Sequence, residues 1–202
     1  TAAGTADIMA HIFEQYFSPT ENTSVLDALA LALLKVCITY GPIALREPNN
    51  YAARAELLWA GTLALNGLLT FGKVGDWATH GIAHQVSGRY DAIHGVTLAI
   101  LFPAWMEEIL SDKTVHKFVD YGVTVFGLTQ TTDPFTIAHE AIKRTRLFFS
   151  SLGLPATLRE IGVKAADFES MAASAHADYG GHIGTIKPLQ RDQIVAIYSR
   201  AL

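Results

Sequence analysis

The chain has 202 residues, of which 50% are hydrophobic and 17% charged, and it has a net charge of −4. This balance is typical of a folded domain with a buried core, and it excludes a disordered or highly charged chain. With a pI near 6.0 there is no surplus of basic side chains. Nucleic acid and anionic membrane are therefore disfavoured as partners, and a small-molecule ligand is favoured.

The cysteine content and the hydropathy pattern indicate a cytoplasmic protein. Cys37 is the single cysteine, which excludes an internal disulfide, and its apolar neighbours predict a buried thiol in a reducing compartment. The most apolar stretch, residues 25–38, contains Asp27 and Lys35 and is shorter than the ~20 residues that span a bilayer. We expect a buried helix there, and no membrane as partner. Residues 1–7 lack the features of a signal peptide, and the chain is interpreted as part of a longer protein.

Hydrophobic residues recur at helical spacing along the whole sequence, which predicts an all-α fold in one domain over residues 1–202. The second helix should end at Gly41-Pro42, and Pro103 should kink or break the fifth. A glycine-rich stretch at 177–185 lacks the order of a phosphate-binding loop, so we expect a plain connection or a mobile substrate-side loop. The helices are predicted at 6–17, 24–40, 51–70, from 76 to about 88, 93–111, 113–126, 134–152, 165–176 and 188–201.

Two groups of residues could bind a metal. Asp7 and His11 are four residues apart, so their side chains lie on one face of the first helix and can share a ligand. The alternative is that Asp7 caps this helix and His11 is a surface residue.

The second group is denser, with three histidines between residues 80 and 94. His80 and His84 are one helical turn apart, and His94 follows a break and begins the next helix. Spacing alone favours His80 and His84 as the metal pair, whereas the alternative is that these histidines are structural and bind carbonyls. The glycines that follow His80 and His94 permit close approach of a neighbouring backbone or ligand, and Asp76 should cap the fourth helix.

The segment THGIAHQVSGRYDAIHGVTLAILFP at 79–103, together with DIMAHIFEQYF at 7–17, resembles the signature of the iron-containing alcohol dehydrogenases, especially their butanol dehydrogenase and broad aldehyde reductase branch. The resemblance covers essentially the whole chain. It implies the all-α, dehydroquinate synthase-like C-terminal domain of that family. The family's N-terminal α/β half, which binds the nucleotide, should precede Thr1 and is not among these residues.

The resemblance also implies a site. The metal ligands would be Asp7, His11, His80 and His94, while His84 would line the substrate and nicotinamide pocket and act as a catalytic proton relay. One carboxylate and three neutral imidazoles leave a divalent ion with a net charge of about +1 and an open coordination position. Fe(II) and Zn(II) fit this set, and Co(II) or Ni(II) also fit.

The implied activity is reversible hydride transfer between NAD(P)H, with NADPH favoured, and a small aldehyde or alcohol, in an enzyme expected to be a homodimer. Two other functions remain open: a metal-dependent hydrolase that uses the same ligands, and a non-catalytic helical interaction module. Aromatic residues near the histidines could shape an apolar pocket or simply belong to the core; these are Phe71, Trp77 and Tyr90.

Overall fold

A computed structural model describes all 202 residues, and it confirms the all-α fold: there are nine α-helices, three short 3₁₀ turns and no strands. The only β-type pairing is one isolated bridge between Ile183 and Leu189. The helices are α1 (Ala2–Tyr16), α2 (Ser24–Arg46), α3 (Tyr51–Leu65), α4 (Ala78–Tyr90), α5 (His94–Ile109), α6 (Val115–Phe126), α7 (Pro134–Ser151), α8 (Phe168–Asp178) and α9 (Arg191–Arg200).

Helices α1 and α5 form the centre of the molecule, because apolar side chains cover most of their surface. In α5 all residues from Gly95 to Met106 are buried. Large aromatic side chains from α1, α5 and α6 interlock at the middle of one continuous core, and burying each of them contributes about 1.5–3 kcal/mol. The core aromatics include Phe13, Phe17, Phe102, Trp105, Phe118 and Tyr121.

The predicted C-terminal ends of two helices are wrong, and the alternative of a break at Pro103 is wrong as well. Helix α2 continues through Gly41-Pro42 to Arg46, since tertiary packing compensates for the hydrogen bond that proline lacks. Gly41 lies so close to α1 that a Cβ there would be 2.8 Å from the Thr5 side chain. Helix α3 ends at Leu65 rather than at residue 70, just before Gly67 adopts a positive φ of 88°. Helix α5 contains Pro103 without a break.

Helix α1 begins at Ala2, one turn earlier than predicted. Asp7 is therefore in the second turn of the helix, and the alternative in which it serves as the N-cap is wrong. Its side chain projects sideways from α1, toward the first turns of α4 and α5.

Helix α2 is long and apolar enough, by length and composition alone, to cross a membrane. The core helix of a folded protein has the same properties, and one face of α2 is buried here, with Leu34 and Cys37 completely inaccessible to solvent. The prediction of a buried cysteine is confirmed, and burial raises the pKa of the Cys37 thiol to about 12.

Candidate metal centre

The first turns of α1, α4 and α5 converge because a glycine allows it. At Gly95, the second residue of α5, a Cβ would lie only 2.1 Å from the carbonyl oxygen of Ala3. Only glycine permits this approach of the two backbones. The contact places His94, at the start of α5, beside Asp7 on α1.

A second glycine, Gly81, allows another part of the chain to pack closely on α4. A Cβ at Gly81 would lie 2.2 Å from the Ile183 side chain, so the glycine-rich loop packs directly on the turn that carries His80. Gly95 thus permits the close backbone approach that was predicted, whereas the atoms that approach Gly81 belong to side chains.

Asp76 connects the start of α4 to the glycine-rich loop through hydrogen bonds. Its Oδ1 accepts the N–H of Ala78, the first residue of α4, at 3.1 Å, so the predicted capping role is confirmed, although Trp77 occupies the N-cap position. Its Oδ2 also accepts the N–H groups of Thr185 and Ile186 at 2.7 and 2.8 Å. Asp76 therefore attaches the glycine-rich loop to α4, a role that the sequence did not suggest. Burial, and then the nearby Glu14 carboxylate, raise the pKa of Asp76 to about 7.

Three side chains form a compact set of possible metal donors. Asp7, His80 and His94 each present one ligand atom, and these atoms all lie within 4.8 Å of one another. Asp7 Oδ1 is 3.9 Å from His80 Nε2. Two atoms bound at about 2.1 Å to one ion are at most about 4.2 Å apart, so this pair fits a shared ion as it stands, and the whole set needs only small movements.

Each of these residues also has one polar atom without a hydrogen-bond partner in the protein. Asp7 Oδ1, His80 Nε2 and His94 Nδ1 are all buried from solvent and without a partner. Buried polar atoms are rarely left unsatisfied, and a cation at their centre would satisfy all three. The residues present therefore fit a divalent metal.

His11 lies beside this set rather than within it. Its Nδ1 is 2.9 Å from the backbone oxygen of Asp7 and 3.1 Å from Asp7 Oδ1, the latter an ionic contact without hydrogen-bond geometry. Because the Asp7 carbonyl can only accept, Nδ1 carries the proton and Nε2 is left with a free lone pair. The His11 and His80 ring centroids are 4.4 Å apart.

The pKa values of the candidate ligands differ with their surroundings. Burial lowers the pKa of His80 to about 4, so its imidazole is neutral and suited to bind a metal. Burial also lowers the pKa of His94. For His11, burial lowers the pKa but the contacts with Asp7 outweigh it, and the net shift is upward. Burial raises the pKa of Asp7, but His11 outweighs it in turn and the net shift is downward.

His84 lies at the open side of the cluster. It is exposed, and its ring stacks on that of His94 at 4.9 Å, whereas the His80 ring is 6.3 Å away. The structure thus brings all five predicted site residues together, and it places His84 at the edge of the donor set.

Of the three aromatic residues considered as pocket walls, one is in position. Trp77 lies 5.9 Å from the His11 ring and 5.4 Å from the His80 ring. Phe71 is 83% exposed, and the Tyr90 hydroxyl is bonded to Asp167 and to the N–H of Lys164. Neither belongs to a closed pocket here.

A polar cavity of about 510 Å³ does exist, but it lies at the opposite end of α1, around Tyr16 and Lys117, and contains none of the donors.

Sequence reasoning overlooked Glu14. This α1 residue is fully buried, and its Oε1 lies 3.0 Å from His80 Nδ1 and accepts the His80 backbone N–H at 2.9 Å. Burial raises the pKa of Glu14 to about 8, against the lowering effect of the His80 N–H. The available signal was its position seven residues after Asp7, on the same helical face and in an otherwise apolar run.

The fold and the donor cluster define a helical domain suited to hold one metal ion. Residues 1–202 match the family described as "Fe-containing alcohol dehydrogenase family, C-terminal". The chain belongs to this family, as the two sequence motifs indicated.

Curated relatives support this family assignment. The NADH-dependent butanol dehydrogenase A of Clostridium acetobutylicum is 49% identical over 201 residues, covering 100% of this chain and 52% of that protein. The NADPH-dependent aldehyde reductase YqhD of Escherichia coli is 37% identical over 171 residues, covering 84% of this chain and 43% of that protein. The chain thus spans about half the length of the curated relatives it matches.

Solved structures show the same fold. The substrate- and cofactor-free form of YqhD from E. coli superimposes with a TM-score of 0.93 at 32% identity, over 100% of this chain and 52% of that one. The NADH-dependent butanol dehydrogenase A of Thermotoga maritima gives a TM-score of 0.91 at 28% identity, over 100% of this chain and 52% of that one.

Proposed function

We propose that this chain is the metal- and substrate-binding domain of an NAD(P)H-dependent alcohol dehydrogenase that also reduces aldehydes, and that Asp7, His11, His80 and His94 bind its single divalent metal. The observation that supports this most strongly is that ligand atoms of Asp7, His80 and His94 lie within 4.8 Å of one another, and that each of these residues has a buried polar atom without a hydrogen-bond partner. The fourth ligand would be His11, whose Nε2 is free because Nδ1 is bonded to the Asp7 carbonyl. The mixed nitrogen and oxygen ligands suit Fe(II) or Zn(II), and also Co(II) or Ni(II).

When bound, the metal would supply a Lewis acid for a substrate oxygen, and the nicotinamide would supply the hydride. The residues of this chain would hold the metal and set the net charge of its site. Asp7 contributes the one negative charge of the ligand set, and the neutral imidazoles contribute none, so the site stays electrophilic. Trp77 closes one side of it.

His84 would be the proton relay and would contact the nicotinamide and the substrate. It is exposed to solvent while its ring stacks on His94, so its nitrogens can exchange protons with water at the edge of the site. Because the donor cluster is open on this side, another part of the protein has to cover it during the reaction.

We further propose that an N-terminal α/β half, preceding Thr1 in the full-length protein, covers this side and binds the cofactor. The names of the relatives support both cofactors, since the C. acetobutylicum enzyme is NADH-dependent and the E. coli enzyme NADPH-dependent. Our expectation of NADPH is tested by comparing the two cofactors in turnover. A cytoplasmic homodimer acting on small aldehydes and alcohols completes the proposal.

Metal analysis of purified variants tests the site. The protein should retain about one metal per chain, and Asp7→Asn or His94→Ala should lose it, because the first change removes the one negative charge of the set and the second removes a donor atom. His116→Ala is the matched control, since His116 is a histidine on α6 outside the donor set. Failure of the wild-type protein to hold any metal would favour the interaction module instead. Metal retention with hydrolysis and no hydride transfer would favour the hydrolase.

A further inference from the structure

We propose that Glu14 is a positioning residue, whose buried carboxylate orients the His80 imidazole so that Nε2 faces the metal. The inference rests on the proposed function, because it assigns His80 as a ligand. It concerns a residue that touches neither metal nor substrate.

The hydrogen bonds define which nitrogen of His80 is free. Glu14 Oε1 is 3.0 Å from His80 Nδ1. An ionised Glu14 carboxylate can only accept hydrogen bonds, so Nδ1 must then be the donor and carry the ring proton. The lone pair is then on Nε2, the buried atom without a partner that lies 3.9 Å from Asp7 Oδ1. Glu14 thus selects the tautomer that can bind a metal beside Asp7.

The same oxygen also fixes the backbone from which the ring projects. Glu14 Oε1 accepts the N–H of His80 at 2.9 Å, and the Glu14 carbonyl accepts the N–H of Asp76 at 2.7 Å. His80 is therefore held at both its backbone and its ring by one residue of α1. Because α1 also carries Asp7 and His11, Glu14 couples two ligands on one helix to a third on another.

Glu14 also caps helix α4, together with Asp76. Its own N-cap residue, Trp77, provides no side-chain hydrogen bond, whereas Glu14 accepts the N–H of the third residue of the helix, as an N-cap side chain normally does. The positive end of the helix dipole favours a carboxylate at this position. Capping alone would not require a fully buried carboxyl group, since a Ser or Asn side chain at the N-cap would suffice. The contact with the ring nitrogen is what a carboxylate adds, because it raises the basicity of the ligand.

Substitution of Glu14 tests the proposal through metal affinity. Glu14→Gln keeps the shape and one acceptor but removes the charge, and Tyr16→Phe is the matched control, because it removes a buried hydrogen bond from the same helix, to the Lys117 carbonyl, without touching a ligand. Co(II) is titrated into the metal-free full-length proteins in competition with a chelator. We expect Glu14→Gln to weaken Co(II) binding by about 10–100-fold and to change the visible Co(II) spectrum, with the Tyr16→Phe affinity unchanged.

Wild-type affinity and an unchanged spectrum in Glu14→Gln would overturn the proposal. So would an equal loss of affinity in both variants, since that would indicate a general effect of destabilising α1. Thermal unfolding of the metal-free proteins accompanies the titration, because a purely structural role would lower the melting temperature without changing the affinity of the folded protein.

A measurement on the unsubstituted protein remains decisive if Glu14→Gln does not fold. Imidazole ¹⁵N chemical shifts of metal-free protein, recorded at a pH above the Glu14 pKa of about 8, report the tautomer of each histidine, and we expect His80 to carry its proton on Nδ1. A proton on Nε2 would refute the role of Glu14. This result is independent of the proposed function: if the protein binds no metal, the dehydrogenase assignment fails while the His80 tautomer still tests Glu14.

Discussion

Replacement of Gly95 by alanine should disrupt the metal centre without altering any ligand. The new Cβ would lie 2.1 Å from the Ala3 carbonyl oxygen, where separations under 3.0 Å are essentially never found. Because the obstructing atom belongs to the backbone of α1, no side-chain rotation can relieve the contact. The two helices must separate by about 1 Å, whereas metal–ligand distances tolerate only about 0.2 Å.

The expected effects are large enough to measure. Overpacking of this kind costs about 1–3 kcal/mol, which corresponds to a decrease of about 2–12 °C in melting temperature for a domain of this size. Metal content should fall as well, because the movement separates Asp7 from His94. Differential scanning calorimetry and metal analysis of the same preparations provide both values.

Gly88→Ala is the matched control for this experiment. Gly88 lies within α4, and a Cβ at this position would have no other atom within 4 Å, so alanine should raise stability by about 0.5–1 kcal/mol through its helix propensity. Metal content should stay the same. If Gly95→Ala melted at the wild-type temperature and kept its metal, the close approach of α1 and α5 would not be what builds the site.

Three further outcomes are expected. His84→Ala should retain the metal of the full-length enzyme but lower kcat, since His84 lies outside the donor set; loss of metal would make it a ligand. Asp27→Asn should lower the melting temperature near pH 6, and the difference from wild type should shrink as the pH falls below about 4. Burial raises the pKa of Asp27, but two lysines outweigh it and the net shift is downward, so its stabilising effect is present above the unfolded value and lost as acid protonates it; a difference that did not change with pH would contradict this. Tyr198→Phe should cost about 1–3 kcal/mol in urea unfolding, because the Ile82 carbonyl that its hydroxyl bonds at 2.8 Å is left without that donor; an unchanged midpoint would contradict this.

The sequence predicted the helices well because helical periodicity depends on local spacing. It failed at Pro42, where long-range packing of α2 outweighs a local helix-breaking signal. It also placed the start of α1 too late, since Ala2 to Thr5 are small residues with little amphipathic pattern. That error kept open a capping role for Asp7 which the structure excludes.

The residues of the site were harder to predict from local sequence patterns than the helices were. Spacing on α4 favoured His80 and His84, and only the family resemblance favoured His94, whose proximity to Asp7 depends on the crossing of α1 and α5 at Gly95. Such a crossing is a tertiary contact that no local pattern specifies. Glu14 was missed for the same reason, because its partner lies 66 residues away in the sequence.

We expect one metal ion to be bound jointly by residues of α1, α4 and α5. Anomalous diffraction at the absorption edge of the bound metal, from crystals of the purified full-length protein, tests this most directly. We predict a single peak about 2.0–2.3 Å from an Asp7 oxygen and from imidazole nitrogens of His11, His80 and His94. A metal peak elsewhere, or one that lacks either Asp7 or His94 among its ligands, would contradict it.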